Sequence, residues 1–306
     1  MKILVCLRFP VLAMVVLFLC VGCPGKKPVA PDPEGPGKKT EVEKQDILPE
    51  GRPYTVPDLD MRMVWAPPGK FLMGSPESEP GHQRQEEDLH HVIISRGFWI
   101  GQFEVTQAQF ETILGNNPST FKDPQMPVQK VNWELAMEFC EALTEREEFA
   151  KRMPPKWHFT LPTEAQWEYA CRAGTRAGYP CTIRDLGKHG NFADRNLYND
   201  REIEHYVYAN QEADDGYGRA FAPIGQYLPN PWGIHDMLRN LAELCSTYYT
   251  AELIPGTDPN DQSLPDPRSS RHRISRGGSW CSPPEYLHVA FRNAFTGTQT
   301  PHVGLR

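Results

Sequence analysis

Apolar positions from Met63 to Met73 alternate with polar and turn residues, the period-two pattern of a strand or hairpin, and Val92–Trp99 repeats it as a second strand. Three helices are then predicted in order. Thr106 with Gln109 forms a capping box, Phe110, Ile113 and Leu114 follow, and Gly115 stops the segment. Asn132 can cap a second helix, on which Leu135, Ala136, Phe139, Cys140 and Leu143 share one face. Thr163 with Gln166 gives another capping box ahead of Trp167, Ala170 and Cys171, with Gly174 as the stop. From 175 to 306 regular periodicity fades into short apolar pieces between Gly, Pro, Asn and Asp. A half of this kind needs something besides hydrophobic packing, and bound metal is a natural candidate.

The chain's first residues follow a different pattern. Lys2 and Arg8 precede an apolar run from Val11 to Val21, too short to span a bilayer comfortably, so residues 1–22 read as a signal peptide. The context Leu19-Cys20-Val21-Gly22-Cys23 resembles a bacterial lipoprotein signal, in which Cys23 becomes the acylated N-terminus. Cys20 stands where that signal usually has leucine, which leaves a plain secretory peptide as the alternative. Both readings place the protein outside the cytoplasm, either anchored to a bacterial membrane or secreted or periplasmic, where thiols can oxidise. Residues 23–52 are rich in Pro, Gly and charge and nearly devoid of apolar side chains, so they read as a flexible tether. One folded domain is expected over 53–306.

Composition narrows the class. With 30 prolines and 24 glycines in 306 residues, a loop-rich α+β body fits better than a helical bundle. The formal charge is −7, with no basic stripe, which argues against a nucleic-acid partner. There is no phosphate-binding glycine loop, no Gly-x-Ser-x-Gly elbow and no His-Glu-x-x-His helix. His90-His91 lacks ligand spacing and reads as a solvated strand edge, and Glu86-Glu87-Asp88 as an exposed turn.

A series of motifs carries more specific information. Met73-Gly74-Ser75 precedes Phe103-Glu104-Val105-Thr106, then Pro127-Val128 and Val131-Asn132-Trp133. Leu161-Pro162-Thr163-Glu164-Ala165-Gln166-Trp167-Glu168-Tyr169-Ala170 follows, and then Pro229-Asn230-Pro231-Trp232-Gly233-Ile234 with Asp236-Met237. Arg276-Gly277-Gly278-Ser279-Trp280 and the terminal Gly304-Leu305-Arg306 complete the set. In this order, over roughly 61–306, the chain resembles the formylglycine-generating enzyme (sulfatase-modifying factor) family. The resemblance implies a compact, irregular α+β fold related to C-type lectins. It also implies, for the family's enzymes, oxidation of a sulfatase cysteine to formylglycine by copper held on two thiolates, with molecular oxygen. Relatives lacking that chemistry bind ligands or act in other pathways, so the site must decide the function.

The expected copper pair is not present. In the enzymes both cysteines follow the Gly-Gly-Ser motif, at the third and eighth positions after its serine; here those are Ser282 and Leu287, with Cys281 one place early. One thiolate does not reproduce a two-thiolate copper site, and Cys245 is the only distant second candidate. Cys281 with Cys245 as a disulfide, or either one as an inert buried thiol, is the plainer alternative. Cys140 and Cys171 match cysteines common in the family and could pair or stay reduced, and Cys181 has no obvious partner. After the Asp-Met step the enzymes read Gly-Asn-x-Trp-Glu-Trp, where this chain has Arg239-Asn240-Leu241-Ala242-Glu243-Leu244.

The residues for calcium fare better. By resemblance one site uses the side chains of Asn210 and Asp215 with the carbonyls of Gln211 and Tyr217; the other uses Asp236 and Glu243 with the carbonyls of Arg239 and Leu241. The alternative is that these carboxylates cap turns. The resulting expectation is a lipid-anchored, calcium-stabilised binding or accessory module, with copper not expected. Its cleft, lined by Ser279, Trp280, Tyr286, Arg292 and Asn293, would take a peptide, protein or glycan ligand. The rival is a formylglycine-generating oxidase, or a divergent oxidase using Cys281.

Overall fold

The computed structural model describes residues 51–79, 82, 88–176, 187–193, 214–217, 221–250, 254–260, 272–282 and 288–306. Cys23, Cys181, Asn210, Gln211, Tyr286 and the Glu86-Glu87 pair lie outside the described residues. The architecture is mixed: strands β1 (Tyr54–Val56), β2 (Met61–Ala66), β3 (Gly69–Met73), β4 (His90–Ile94) and β5 (Phe98–Gly101) come first. Helices α1 (Gln107–Leu114), α2 (Trp133–Phe149) and α3 (Glu164–Arg172) follow. Strands β6 (Ala242–Tyr248), β7 (Gly256–Thr257), β8 (Arg273–Arg276), β9 (Arg292–Phe295) and β10 (Val303–Gly304) close the chain.

All three helices begin where the caps put them. Thr106 and Thr163 each accept from the backbone N–H three residues on, while the Gln109 and Gln166 side chains return the bond, and Asn132 accepts from Leu135. Helix α1 ends at Gly115, in the left-handed region at φ 73°. Helix α3 departs slightly from expectation, because Ala173 itself takes the left-handed cap at φ 44° one residue ahead of Gly174.

The strand expectations need correcting in their partners. The 63–73 stretch is not a hairpin: β2 pairs with β1 and β5, whereas β3 pairs antiparallel with β4 in another sheet. Pro67 and Pro68 at the junction deny the ladder two N–H donors and free the chain to cross over. Val92–Trp99 is likewise broken, since β4 and β5 belong to those two sheets, with the turn at Ser95–Gly97 between them. A third sheet, in the order β10-β6-β8-β9, is built entirely from the half whose periodicity is weak.

Two apolar clusters support this frame. One holds Phe110, Phe139, Leu143 and Leu161 with β1, β2 and the end of the chain; the other gathers Trp167, Ile234, Cys245 and Ile274 around α3. Every residue of α3 except Gln166 is buried, its three charged side chains included. A helix sunk on all sides can carry charge only if each charge is paired.

That pairing is a network. Arg292 makes a two-pronged contact with Glu164 at 2.6 and 2.9 Å. Arg172 donates to Glu168 at 2.8 Å, and Arg276 bonds the other Glu168 oxygen. Burial pushes the Glu168 carboxyl upward, but Arg172, Arg276 and the Gly74 amide outweigh it and hold the group below its usual range. Arg276 leads straight into Gly277-Gly278-Ser279, so the network fixes the loop that carries Cys281.

Candidate functional site around the Gly-Gly-Ser loop

Two loops, residues 236–240 and 277–282, meet at this site. Gly277 and Gly278 both take positive φ, at 86° and 69°, and a Cβ at Gly277 would lie 2.7 Å from the Met237 carbonyl oxygen. This close approach lets the Arg239 N–H donate to the Gly277 carbonyl at 2.8 Å and the Trp280 N–H to that of Asn240 at 3.0 Å. The chain then makes a tight turn. The Ser282 N–H donates to the Ser279 carbonyl at 2.9 Å, and the Ser279 N–H donates to the Ser282 hydroxyl at 2.9 Å. Cys281 sits half-buried within the turn, its Sγ 3.2 Å from the Ser279 hydroxyl.

The other described thiols are different. Cys140, Cys171, Cys245 and Cys281 are all free, and the first three are buried. Burial pushes the Cys140 and Cys171 thiols up to about 12, and that of Cys245 well above its ordinary value.

The five residues expected to line a cleft divide. Ser279 is buried in the turn, Trp280 is half-buried, and Tyr286 lies outside the described residues. The Trp280 Nε1 is buried and without a hydrogen-bond partner. Arg292 corrects the expectation: it is 3 % exposed, and its guanidinium is engaged by Glu164 and the Thr250 carbonyl. It anchors the fold and is not a free cleft arginine. Asn293 is exposed on β9, where its amide donates to the Ser275 hydroxyl across the ladder at 3.2 Å.

Of the first set of calcium-type residues, Asp215 and Tyr217 are described. The Asp215 carboxylate accepts from the N–H groups of Phe192 and Tyr217 at 2.8 and 2.9 Å, so it does cap a turn. The second set is drawn together. Asp236, Arg239, Leu241 and Glu243 are each no more than 2 % exposed, and Asp236, Arg239 and Asn240 sit at φ 58°, 77° and 80°. Three non-glycine residues so close together in this region form a strained loop. The Glu243 carboxylate faces Arg306, at 2.6 Å from Nη2, and the Trp167 indole N–H at 2.7 Å. Asp236 accepts from Gly225 through Oδ2, while Oδ1 is buried with no hydrogen-bond partner.

Glu104, from the Phe103-Glu104-Val105-Thr106 segment, also belongs to this cluster. It is 2 % exposed and accepts from the Asn240 side-chain amide at 2.6 Å and the Leu241 N–H at 2.9 Å. Burial, then the negative charges of Asp236 and Glu243, push its carboxyl well above the usual range, against the pull of Arg306. Asp236 is raised too, chiefly by burial. Both Glu104 oxygens face N–H donors, a setting that calls for the ionised form, while its surroundings hold more negative charge than Arg306 offsets. Among the described residues no group of three or more His, Cys, Asp or Glu side chains could hold a metal ion. A cation at this loop would therefore draw on Asp236 and on backbone carbonyls, a donor set calcium accepts.

Comparison with known proteins agrees with this scaffold. The structure of PvdO from Pseudomonas aeruginosa superposes with a TM-score of 0.66 at 21 % identity, covering 84 % of this chain and 97 % of that one. The chaperone protein LppX of Paenibacillus barcinonensis is 28 % identical over 68 % of this chain and 79 % of its own. The formylglycine-generating enzyme of Bos taurus is 24 % identical over 72 % of this chain, which spans about half (51 %) of that enzyme's length. The irregular mixed fold is that of formylglycine-generating enzyme-like proteins. A profile of the sulfatase-modifying factor enzyme 1-like domain matches residues 52–306, and the chain belongs to that family.

Proposed function

We propose that this protein is an extracytoplasmic binding or accessory module on the formylglycine-generating enzyme scaffold, held rigid by calcium and not operating as a copper oxidase. The carrying observation is the state of its thiols. Cys281 is the one half-buried thiol among the described cysteines, and Cys140, Cys171 and Cys245 are buried with thiols pushed upward. The family's copper site takes two thiolates, and among the described cysteines only Cys281 is not buried. The turn presents the half-buried Cys281 thiol, with the Ser279 hydroxyl 3.2 Å from it and the Trp280 indole N–H without a partner, groups that a polar ligand could engage. LppX, named as a chaperone protein, is in keeping with an accessory role.

Calcium is proposed at the loop from Asp236 to Glu243. Asp236 through Oδ1, with the carbonyls of Arg239 and Leu241, would hold it, and the cation would supply the positive charge that Glu104 and Asp236 lack. The lipid anchor at Cys23 belongs to the same proposal. No helix among the described residues is long and apolar enough to cross a membrane. In this reading the protein reaches a membrane through the lipid on Cys23.

Two measurements on the purified protein test this. Calorimetric titration with calcium after chelation should show saturable binding that Asp236→Asn weakens. Incubation with copper, oxygen, a thiol reductant and a Cys-x-Pro-x-Arg peptide should leave the peptide mass unchanged. Loss of the cysteine mass in favour of formylglycine, abolished by Cys281→Ser, would establish the oxidase instead.

A further inference from the structure

Away from the Gly-Gly-Ser loop, a cavity of about 380 Å³ opens between the β1-β2-β5 sheet, α2 and the chain from 153 to 163. No residue from 272 to 293 lines it. Its size falls within the range of small-molecule sites. Its depth is apolar, walled by Met61, Phe98, Ile100, Phe139, Leu143 and Leu161. Near its mouth stand Trp99 and Trp157, half-buried with ring centroids 4.8 Å apart.

The mouth carries positive charge in a chain whose formal charge is −7. Arg96 and Lys156 both line the cavity and are exposed, and neither has an ion-pair partner among the described residues. The Arg96 guanidinium lies over the Trp157 ring at 5.8 Å. Lys156 is held there at a cost. The Trp157 N–H donates to the Pro154 carbonyl at 3.1 Å, closing a turn in which Lys156 sits at φ 70°, where glycine is the favoured residue. The remaining charges on the wall are already engaged. Arg306 pairs with Glu243, Glu104 accepts from Asn240 and Leu241, Asp258 accepts from the Ser95 N–H and hydroxyl, and Arg62 faces Asp60 at 3.4 Å.

Among the wall's polar side chains, Gln109, Thr163 and Gln166 are also committed, while His158 and Thr160 are exposed. Gln109 bonds Thr106 and the Leu59 carbonyl, and Gln166 and Thr163 cap each other at the start of α3. A peptide entering this depth would lose water from its amides and find few partners. An alkyl chain has no such groups to satisfy. We infer that the cavity binds a single-chain anionic amphiphile, its alkyl chain between the core wall and the two tryptophans and its carboxylate or phosphate head at Arg96 and Lys156. The occupant is either a free fatty acid or one acyl chain of an anionic membrane lipid, since the chemistry is shared. The inference is independent of the calcium and thiol readings above.

The test uses the full chain with Cys23→Ala, which removes the expected acylation, and dodecanoate below its micellar concentration. Calorimetry should show one saturable site, with a shift in tryptophan emission that Trp157→Phe diminishes while binding persists. Arg96→Gln with Lys156→Gln should weaken dodecanoate about fivefold and leave dodecanol unchanged. Thr160→Trp, at an exposed position on the cavity wall, should weaken both ligands, with far-ultraviolet circular dichroism confirming the fold. Sedimentation with phosphatidylglycerol vesicles, competed by dodecanoate, would name a membrane lipid as the source; dodecanoate binding without sedimentation would name the free acid. No saturable dodecanoate binding, equal loss of dodecanol in the double variant, unchanged binding in Thr160→Trp, or tighter binding of a leucine-terminated tripeptide would each overturn it.

Discussion

Glu168 is the residue whose removal should damage the molecule most for its size. It is fully buried on α3 and is addressed by three donors: the Gly74 N–H at 2.9 Å, Arg172 at 2.8 Å, and Arg276 on its other oxygen. Glu168→Ala removes the one carboxylate they share. Arg172 keeps the Gly74 carbonyl at 2.6 Å, and Arg276 keeps the carbonyls of Ala290 and Phe291 at 2.6 and 2.5 Å, but Arg276 is left with Glu164, at 3.7 Å, as its ionic partner among the described residues. Glu164 cannot take over, since it is 3.7 Å from Arg276 and already grips Arg292 at 2.6 Å. Breaking a buried pair on one side costs about 3–5 kcal/mol, because the surviving charge stays out of water. For a domain of this size that corresponds to a fall in Tm of roughly 6–20 °C.

Urea unfolding at pH 7, monitored by tryptophan fluorescence and far-ultraviolet circular dichroism, measures the loss directly. Glu168→Gln should lose less, because its amide oxygen can still accept from Gly74. Because Arg276 leads into Gly277-Gly278-Ser279, the alanine variant should also expose Cys281 to alkylation more than the glutamine variant does. A loss under about 1 kcal/mol for Glu168→Ala would refute the argument. It would mean that water or a shifted Glu164 satisfies both guanidinium groups.

Other expectations follow from the same geometry. Glu104 and Asp236 are raised above the unfolded carboxylate values of about 4, so in chelated protein they bind protons more tightly folded than unfolded. Their contribution should therefore fall as pH rises from about 4 through their raised values, and Glu104→Gln should flatten that slope in urea midpoints taken between pH 5 and 8. A slope unchanged by the substitution would remove Glu104 from the account. Gly277→Ala should cost about 2–4 kcal/mol, because it adds a Cβ at φ 86° within 2.7 Å of the Met237 carbonyl; a variant as stable as the parent would show that the loop can move aside. Iodoacetamide labelling mapped by peptide mass should modify Cys281 in the native protein and reach Cys140, Cys171 and Cys245 only on unfolding. Early labelling of Cys245 would weaken the case against a second metal-competent thiol.

Features written locally in the sequence were legible, and those made by distant residues were not. The starts of α1 and α3 are set by a threonine and a glutamine three residues apart, so a short window contains the whole argument. The partners of β2 and β3 depend on which sheet each side of Pro67-Pro68 joins, and alternation of apolar residues carries no such information. Glu104 was visible within a family motif, but its place beside Asp236 and Glu243 exists only once the chain's end returns and inserts Arg306 among them. Arg292 misled for a related reason. An arginine near a candidate cleft suggests ligand binding, and only the structure shows that Glu164, in a helix buried on all sides, already claims it. One clue was available, since Glu164, Glu168 and Arg172 recur every fourth residue on a helix otherwise rich in apolar side chains.

The calcium proposal and the thiol turn are mechanically linked through Asn240. Its backbone carbonyl holds the Trp280 N–H, its side-chain amide donates to Glu104, and its side-chain oxygen accepts from the Ala222 N–H at 2.7 Å. The neighbouring Arg239 N–H holds the Gly277 carbonyl. Residues 236 to 240 are therefore strained, buried and bonded on one side to carboxylates in need of positive charge, and on the other to the turn presenting Cys281. A cation bound at Asp236 would favour the ionised form of Glu104, and with it the bond from Asn240. It would set the turn's position without touching the thiol. Because Glu168 restrains the same turn through Arg276, the loop has two independent anchors, one ionic and internal to the chain, the other dependent on the proposed metal. A recognition loop gains from such bracing, since each contact holds the backbone at the geometry the ligand must meet and lowers the ordering cost of binding.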